Sequence, residues 1–87
     1  MDSRVIASDF KKQFPEFVIG SIMDGGTDLI VYLTKPRLKP GEYMTDQEYK
    51  YNKKTRKITP FRVTDDPALY RRAENHIIYM RSGLRDE

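Results

Sequence analysis

The side chains able to carry catalysis are few in this 87-residue chain and form no recognised motif. There is one histidine, His76, and no cysteine, so a nucleophile–base pair could only join Ser or Thr to His76 or to a lysine. His76 falls on the apolar side of a predicted helix, where a partly buried structural histidine is expected rather than a general base. The sequence therefore predicts a protein that is not an enzyme and has no catalytic residue.

Two pairs of acidic residues are candidates for a catalytic or metal site, and each pair has a structural explanation. Asp65 and Asp66 precede Pro67, which is the arrangement expected at a helix N-terminus. Asp24 and Asp28 flank a Gly-Gly turn, but two carboxylates without further spaced oxygen ligands do not make a calcium loop. Thiolate metal sites and disulfides are excluded because the chain has no cysteine. We therefore predict neither a metal site nor a cofactor.

Positive charge is concentrated in the middle of the chain. Residues 35–62 hold nine basic and three acidic side chains, although the net charge of the whole protein is only +3. Basic side chains beside aromatic rings can follow phosphates and stack on bases. The candidate nucleic-acid-binding residues are Lys50, Lys53, Lys54, Arg56 and Lys57, with Tyr49 and Tyr51 beside them. The competing interpretation, which the low net charge favours, is a solvated hairpin tip whose lysines oppose aggregation.

The elements that must position these residues indicate an α+β fold in a single domain covering residues 1–87. A short N-terminal helix over residues 9–14 is predicted, with Ser8 as its N-cap and Pro15 ending it. Four antiparallel strands then form two hairpins, and a C-terminal helix follows. The predicted strands cover residues 16–23, 29–33, 47–51 and 57–63. A loop covers residues 35–46, and the two helices are expected to cover the sheet.

Two of the strands can be placed within the sheet. The stretch 29–33 is almost wholly apolar, which is typical of a central strand covered on both faces. Pro60 cannot donate an amide hydrogen bond, so the strand over 57–63 is predicted at an edge or bulged at that residue.

The sequence allows two predictions for the last element. Asp66 as N-cap and Pro67 as the first helical residue predict a helix that places Leu69, Ala73, His76, Ile77 and Met80 on one side and ends near Gly83. The alternative is a helix that ends near Asn75 and a fifth strand over residues 76–81, because this segment is rich in β-formers. The sequence favours the longer helix.

Composition limits the structural class of the protein and the cellular compartment expected for it. With 38% hydrophobic and 33% charged residues the chain is globular, and no apolar stretch approaches the length of a membrane span. The N-terminal residues do not resemble a secretory signal, so a cytoplasmic protein without membrane association is expected.

Protein binding is the functional hypothesis that needs the fewest assumptions. An edge strand, an amphipathic last helix, and Ile78 and Tyr79 exposed beside Arg71 and Arg72 would supply a contact surface. The leading hypothesis is thus a non-enzymatic protein-interaction module whose partner is unidentified, with contacts at the basic hairpin 50–57 and the last helix. The alternative is a nucleic-acid-binding accessory domain that uses the same basic hairpin.

The second hairpin also resembles a known pattern. Residues 49–58, which read YKYNKKTRKI, and the following Pro60 and Phe61 are similar to the Tyr-x-Val-Asp/Asn-Lys-Lys-Thr-Gly-Lys/Glu-Ile/Val hairpin of small uncharacterised α+β proteins of bacteriophages and bacterial mobile elements. Some of those proteins also open with a short capped helix that ends in Phe-Pro, as at Phe14 here. The resemblance implies a phage accessory protein, either a virion component or a factor that binds a host protein. Arg56 stands where that pattern has glycine, at a position expected to adopt a positive φ.

Overall fold

A computed structural model describes residues 3–35, 39–41 and 47–80, and it shows two helices and a five-stranded sheet. The elements in chain order are α1 (Ser3–Gln13), β1 (Val18–Asp24), β2 (Asp28–Thr34), β3 (Gln47–Asn52), β4 (Ile58–Pro60), a single 3₁₀ turn (Val63–Asp65), α2 (Pro67–Ala73) and β5 (Ile77–Met80). All neighbouring strands are antiparallel, in the spatial order β4-β3-β2-β1-β5. The α+β class and the two hairpins are confirmed. The predicted loop 35–46 lies mostly outside the described residues.

The N-terminal helix is longer than predicted. It begins at Ser3, so Ser8 is an exposed residue inside α1 and the prediction that it caps the helix is wrong. The predicted end is confirmed, because α1 stops at Gln13, two residues before Pro15. Ile6 and Phe10 are the buried residues of α1. Their spacing of four residues makes one apolar face, and burying that face stabilises more of the helix than local capping does.

The central strand is β2, as its apolar sequence predicts. Leu29, Val31 and Leu33 pack with α1 on one face of the sheet, while Ile30 packs with α2 on the other face. Two clusters of buried side chains result. The first contains Ile6, Phe10, Ile19, Ile22, Leu29, Val31, Leu33 and Tyr51, and the second contains Met23, Ile30, Phe61, Leu69 and Ala73.

The strand β4 lies at one edge of the sheet and is shorter than predicted. It ends at Pro60, which confirms the edge position inferred from the missing amide. Phe61 is buried just beyond it and its amide donates to the carbonyl of Glu48. Val63 belongs to the 3₁₀ turn and is exposed, so its assignment to the strand is wrong.

The segment after Pro67 forms the alternative structure, a short helix followed by a fifth strand. Asp66 caps α2 by accepting a hydrogen bond from the amide of Leu69, and Pro67 is the first helical residue, both as predicted. The helix ends at Ala73, however, and β5 pairs with β1, so the favoured helix through Met80 is wrong. The described residues stop before Gly83.

His76 lies between α2 and β5 rather than on an apolar helical stripe. Its side chain is exposed, which corrects the expectation of a partly buried histidine. Its amide donates to the carbonyl of Ala73, which closes the last turn of α2. Its carbonyl accepts from the amide of Asp24, which begins the pairing of β5 with β1.

The turn between β1 and β2 holds α2 in place. Gly25 is buried beneath Leu69, and the guanidinium Nε of Arg72 donates to the Gly25 carbonyl at 3.1 Å. The chain therefore leaves the β4 edge, crosses one face of the sheet as α2, and adds β5 to the opposite edge.

Candidate functional site

The basic hairpin, residues 50–57, is anchored by Arg56 rather than extended into solvent by it. The Arg56 guanidinium donates two hydrogen bonds to the Asp9 carboxylate on α1, from Nε at 2.9 Å and from Nη2 at 2.7 Å. The hydroxyl of Tyr51 donates to the same carboxylate. Arg56 therefore ties the hairpin to α1, an interaction that joins residues 47 positions apart in the sequence.

Electrostatics at this contact follow from its hydrogen bonds. The Arg56 guanidinium, and next the Tyr51 hydroxyl, lower the pKa of Asp9 from 3.8 to about 2. The Asp9 carboxylate in turn raises the pKa of Arg56. Burial, and then the hydrogen bond to Asp9, raises the pKa of Tyr51. The pair stays charged and the phenol stays protonated at neutral pH, so the contact is a fixed structural link.

The backbone of Arg56 has the positive φ that the hairpin pattern predicts. Its φ is +62°, a left-handed conformation that usually costs a non-glycine residue about 1 kcal/mol. The Asn52 side chain stabilises the turn, because its Oδ1 accepts hydrogen bonds from the amides of Lys54 and Thr55. The contact with Asp9 offsets the strain that glycine would avoid.

The two tyrosines predicted to stack on bases pack against other side chains of the protein, and only Tyr51 is fully buried. Tyr51 is fully buried between the sheet and α1. The ring of Tyr49 contacts those of Phe10 and Phe14, with centroids 6.1 and 4.7 Å away. Base stacking needs an exposed ring face, which Tyr51 lacks and which contacts with Phe10 and Phe14 restrict at Tyr49.

The lysines of the hairpin are divided. Lys53 forms an ion pair with Asp24 at 2.8 Å and thereby joins the two hairpin turns, and this contact lowers the pKa of Asp24. Lys50 is half-buried on β3, on the face opposite the tyrosines. Lys54 and Lys57 are exposed at the tip. The structure thus does not gather the five basic residues into one surface.

Among the described residues, the most apolar exposed surface lies at the other edge of the sheet, on β5. We call it the β5 surface, and it comprises Ile77, Ile78, Tyr79 and Met80. These four consecutive side chains are between 38% and 61% exposed. The prediction that Ile78 and Tyr79 are exposed is confirmed, although they lie on a strand rather than on a helix.

The arginines predicted beside this surface differ in their contacts. Arg71 is exposed on α2. Arg72 lines a shallow depression together with His76, Ile77 and Ile78, although its Nε is already bound to Gly25. Ile77 and Met80 pair with β1 residues on the α2 side of the sheet, whereas Tyr79 pairs with Ile22 on the α1 side.

A groove adjoins Tyr79 on the α1 side of the sheet. It has a volume of about 300 Å³, and its walls include Phe10, Ile22 and Tyr79. Arg4 and Lys11, both exposed, lie among its lining residues. Sequence analysis missed this groove. The signal that points to it is the fifth-strand alternative. A fifth strand over residues 76–81 would widen the sheet beyond the area that a short N-terminal helix can cover, and a groove would remain beside that helix.

Within the described residues, no cluster of three or more His, Asp or Glu side chains could hold a metal ion. Neither helix in the described part of the chain is long and apolar enough to cross a membrane. Comparison with protein-family models, with curated proteins and with solved structures finds no match. The resemblance to phage and mobile-element proteins therefore stays a prediction.

Proposed function

We propose that this chain is a non-enzymatic protein-interaction module that binds an extended segment of a partner protein along β5. The carrying observation is the β5 surface, in which four consecutive apolar side chains are exposed on an edge strand. An edge strand presents unpaired backbone N–H and C=O groups, and adding a strand there is a recurrent mode of peptide recognition.

The two edges of the sheet differ in a way that supports this assignment. Proteins commonly protect an edge strand with proline, charged side chains or short length. The strand β4 is three residues long, contains Pro60 and follows Lys57 directly. The strand β5 itself has no proline and no charged residue, and among the described residues its pairing with β1 carries a register shift between Ile22 and Met23. The β5 edge is the one suited to accept another strand.

The nucleic-acid alternative has less support from the geometry. Two of its five basic residues, Lys53 and Arg56, form ion pairs with carboxylates of the same chain. Tyr51 is buried, and the half-buried Tyr49 packs against Phe10 and Phe14. The exposed lysines at the hairpin tip, Lys54 and Lys57, leave a small cationic surface that is typical of a solvated turn.

The test compares two variants of the full chain as baits in cell lysate. Ile78→Lys places a charge on the β5 surface, and the double variant Lys54→Glu/Lys57→Glu reverses the charge of the hairpin tip. Circular dichroism and thermal melting first establish that both remain folded. We expect wild type and the hairpin variant to recover the same partner, and Ile78→Lys to lose it.

The contact is then located by amide hydrogen exchange on the isolated complex. Protection of residues 77–80 on binding is the expected result, because strand addition pairs their outward amides. A partner that survives Ile78→Lys, is lost with the hairpin variant and leaves β5 exchange unchanged would contradict the proposal.

A further inference from the structure

The groove beside Tyr79 continues the β5 surface onto the α1 side of the sheet. Tyr79 lines it from β5, Ile22 from the neighbouring β1, and Phe10 from α1. Side chains on a strand alternate between the two faces of a sheet, so every second residue of a strand added to β5 would point toward this side. A volume of about 300 Å³ is at the low end for ligand sites and fits one large apolar side chain.

The charge around the groove is positive. Arg4 and Lys11 line it from α1, and none of its described lining residues is acidic. The acidic residue of α1, Asp9, has its carboxylate bound by Arg56 and Tyr51. An occupant with negative charge would therefore meet a complementary surface.

We infer that the segment bound at β5 is an acidic strand with one large apolar anchor, and this inference rests on the proposed function. The anchor enters the groove between Phe10 and Tyr79. Acidic residues two positions before and after the anchor lie on the same face of the added strand, about 6.7 Å away along it, on the side of the sheet where Lys11 lines the groove. The residues between them point to the α2 side, where Ile77 and Met80 favour apolar neighbours.

A second copy of the chain fits the same edge less well. Antiparallel pairing of two β5 strands about a two-fold axis places both α1 helices on the same face of the joined sheet. The basic residues that line the groove in each copy then lie on the same face of the joined sheet, which is unfavourable for two chains of net charge +3. A pair of four-residue strands also falls well short of the roughly 1,200–2,000 Å² that a stable interface buries.

Three fluorescently labelled peptides test the chemistry directly against the full chain. The first, Gly-Glu-Val-Phe-Val-Glu-Gly, carries the anchor and the acids. The second replaces both Glu by Lys, and the third replaces Phe by Ser. By fluorescence anisotropy at low salt we expect the first to bind at least about tenfold more tightly than either of the others.

Two variants of the protein test where the acidic residues of the peptide bind. Lys11→Glu should weaken binding of the acidic peptide about tenfold and strengthen binding of the Lys peptide, because it reverses a charge at the groove. Lys54→Glu makes the same change at the hairpin tip and should leave both affinities unchanged. A folded Lys11→Glu variant that binds the acidic peptide as wild type does would overturn the inference.

The remaining outcomes separate the inference from the proposed function. Equal or tighter binding of the Lys peptide, with β5 amides protected, overturns the acidic chemistry and leaves the interaction at β5 intact. Failure of all three peptides at about 1 mM overturns the inference, and the lysate comparison then decides the function independently. Sedimentation equilibrium that shows a dimer of the chain, abolished by Ile78→Lys, would assign the edge to a second copy instead.

Discussion

Arg56 combines backbone strain with a charged anchor, and substitutions can separate the two. Arg56→Ala loses the Asp9 contact and keeps the positive φ, whereas Arg56→Gly loses the contact and relieves the strain. We therefore expect Arg56→Gly to be more stable than Arg56→Ala by about 1 kcal/mol. Urea denaturation of the two variants measures this difference. Equal stabilities would mean that the turn relaxes to another conformation once the arginine is removed.

Asp9 makes this anchor sensitive to acid. Its pKa is lowered from 3.8 to about 2, so the charged carboxylate stabilises the folded state above pH 4, and this contribution disappears as the pH falls from about 4 to 2. Asp9→Asn should have a lower melting temperature than wild type at pH 7. Its melting temperature should also fall less than that of wild type between pH 4 and pH 2. Melting curves from pH 7 to pH 2 measure both effects. Parallel curves for wild type and variant would contradict the assigned pKa.

The Tyr51 hydroxyl is the second donor to Asp9, and it can be removed without disturbing the packing of the ring. Tyr51→Phe keeps the buried ring against α1 and deletes the hydrogen bond. We expect a loss of about 1–2 kcal/mol in the free energy of unfolding, since the acceptor is charged. Urea denaturation measures the loss, and Tyr70→Phe on α2 is a matched control. An unchanged stability for Tyr51→Phe would show that water replaces the hydroxyl at no cost.

At the scale of elements, the contact between the β1–β2 turn and α2 depends on the absence of a side chain at Gly25. A Cβ there would lie 2.3 Å from the Cδ1 of Leu69 and 3.1 Å from the Asp28 carbonyl oxygen. Leu69 is buried, so Gly25→Ala must displace its side chain within the packed core and should cost about 1–3 kcal/mol. Gly20→Ala is the control, because its Cβ would meet its nearest neighbour at an ordinary 3.5 Å. Similar melting temperatures for the two variants would contradict this packing argument.

The same element shows why local patterns assigned the last segment incorrectly. Leu69, Ala73 and Ile77 repeat every four residues, so the sequence alone allows the helix to continue. The outcome depends on a distant partner, because His76 and the residues after it pair with β1, some 55 positions earlier in the chain. The start of α1 was misplaced for a related reason, since burial of Ile6 against the sheet extends the helix past the local capping signal at Ser8.

For the whole molecule, the sequence predicts most of what is local and little of what joins distant segments. The turns, the central position of β2 and the edge position of β4 follow from residue types, and the positive φ at Arg56 follows from the hairpin pattern that residues 49–58 resemble. The ion pairs of Lys53 and Arg56 do not, because each carboxylate lies in another part of the sequence. The β5 surface was predicted in part through Ile78 and Tyr79, but its groove requires the position of α1 above β1. Of the two surfaces that the sequence proposes, these long-range contacts favour the β5 edge over the basic hairpin.

The charge distribution of the folded molecule makes a prediction for nucleic acids. Only the lysines that remain exposed at the hairpin tip can release counterions there without breaking an ion pair within the chain. With Lys54 and Lys57 as the main contributors, log affinity for a short DNA duplex should fall with log salt concentration with a slope near −2, by the rule of about −0.9 per phosphate. Binding should therefore be weak and confined to low salt. Anisotropy titrations over a salt series measure the slope, and Lys54→Glu/Lys57→Glu should abolish the binding. A slope of about −3.6 or steeper, with binding still abolished by Lys54→Glu/Lys57→Glu, would mean that Lys53 and Arg56 leave their carboxylates to bind phosphate, and it would favour the nucleic-acid alternative over the interaction at β5.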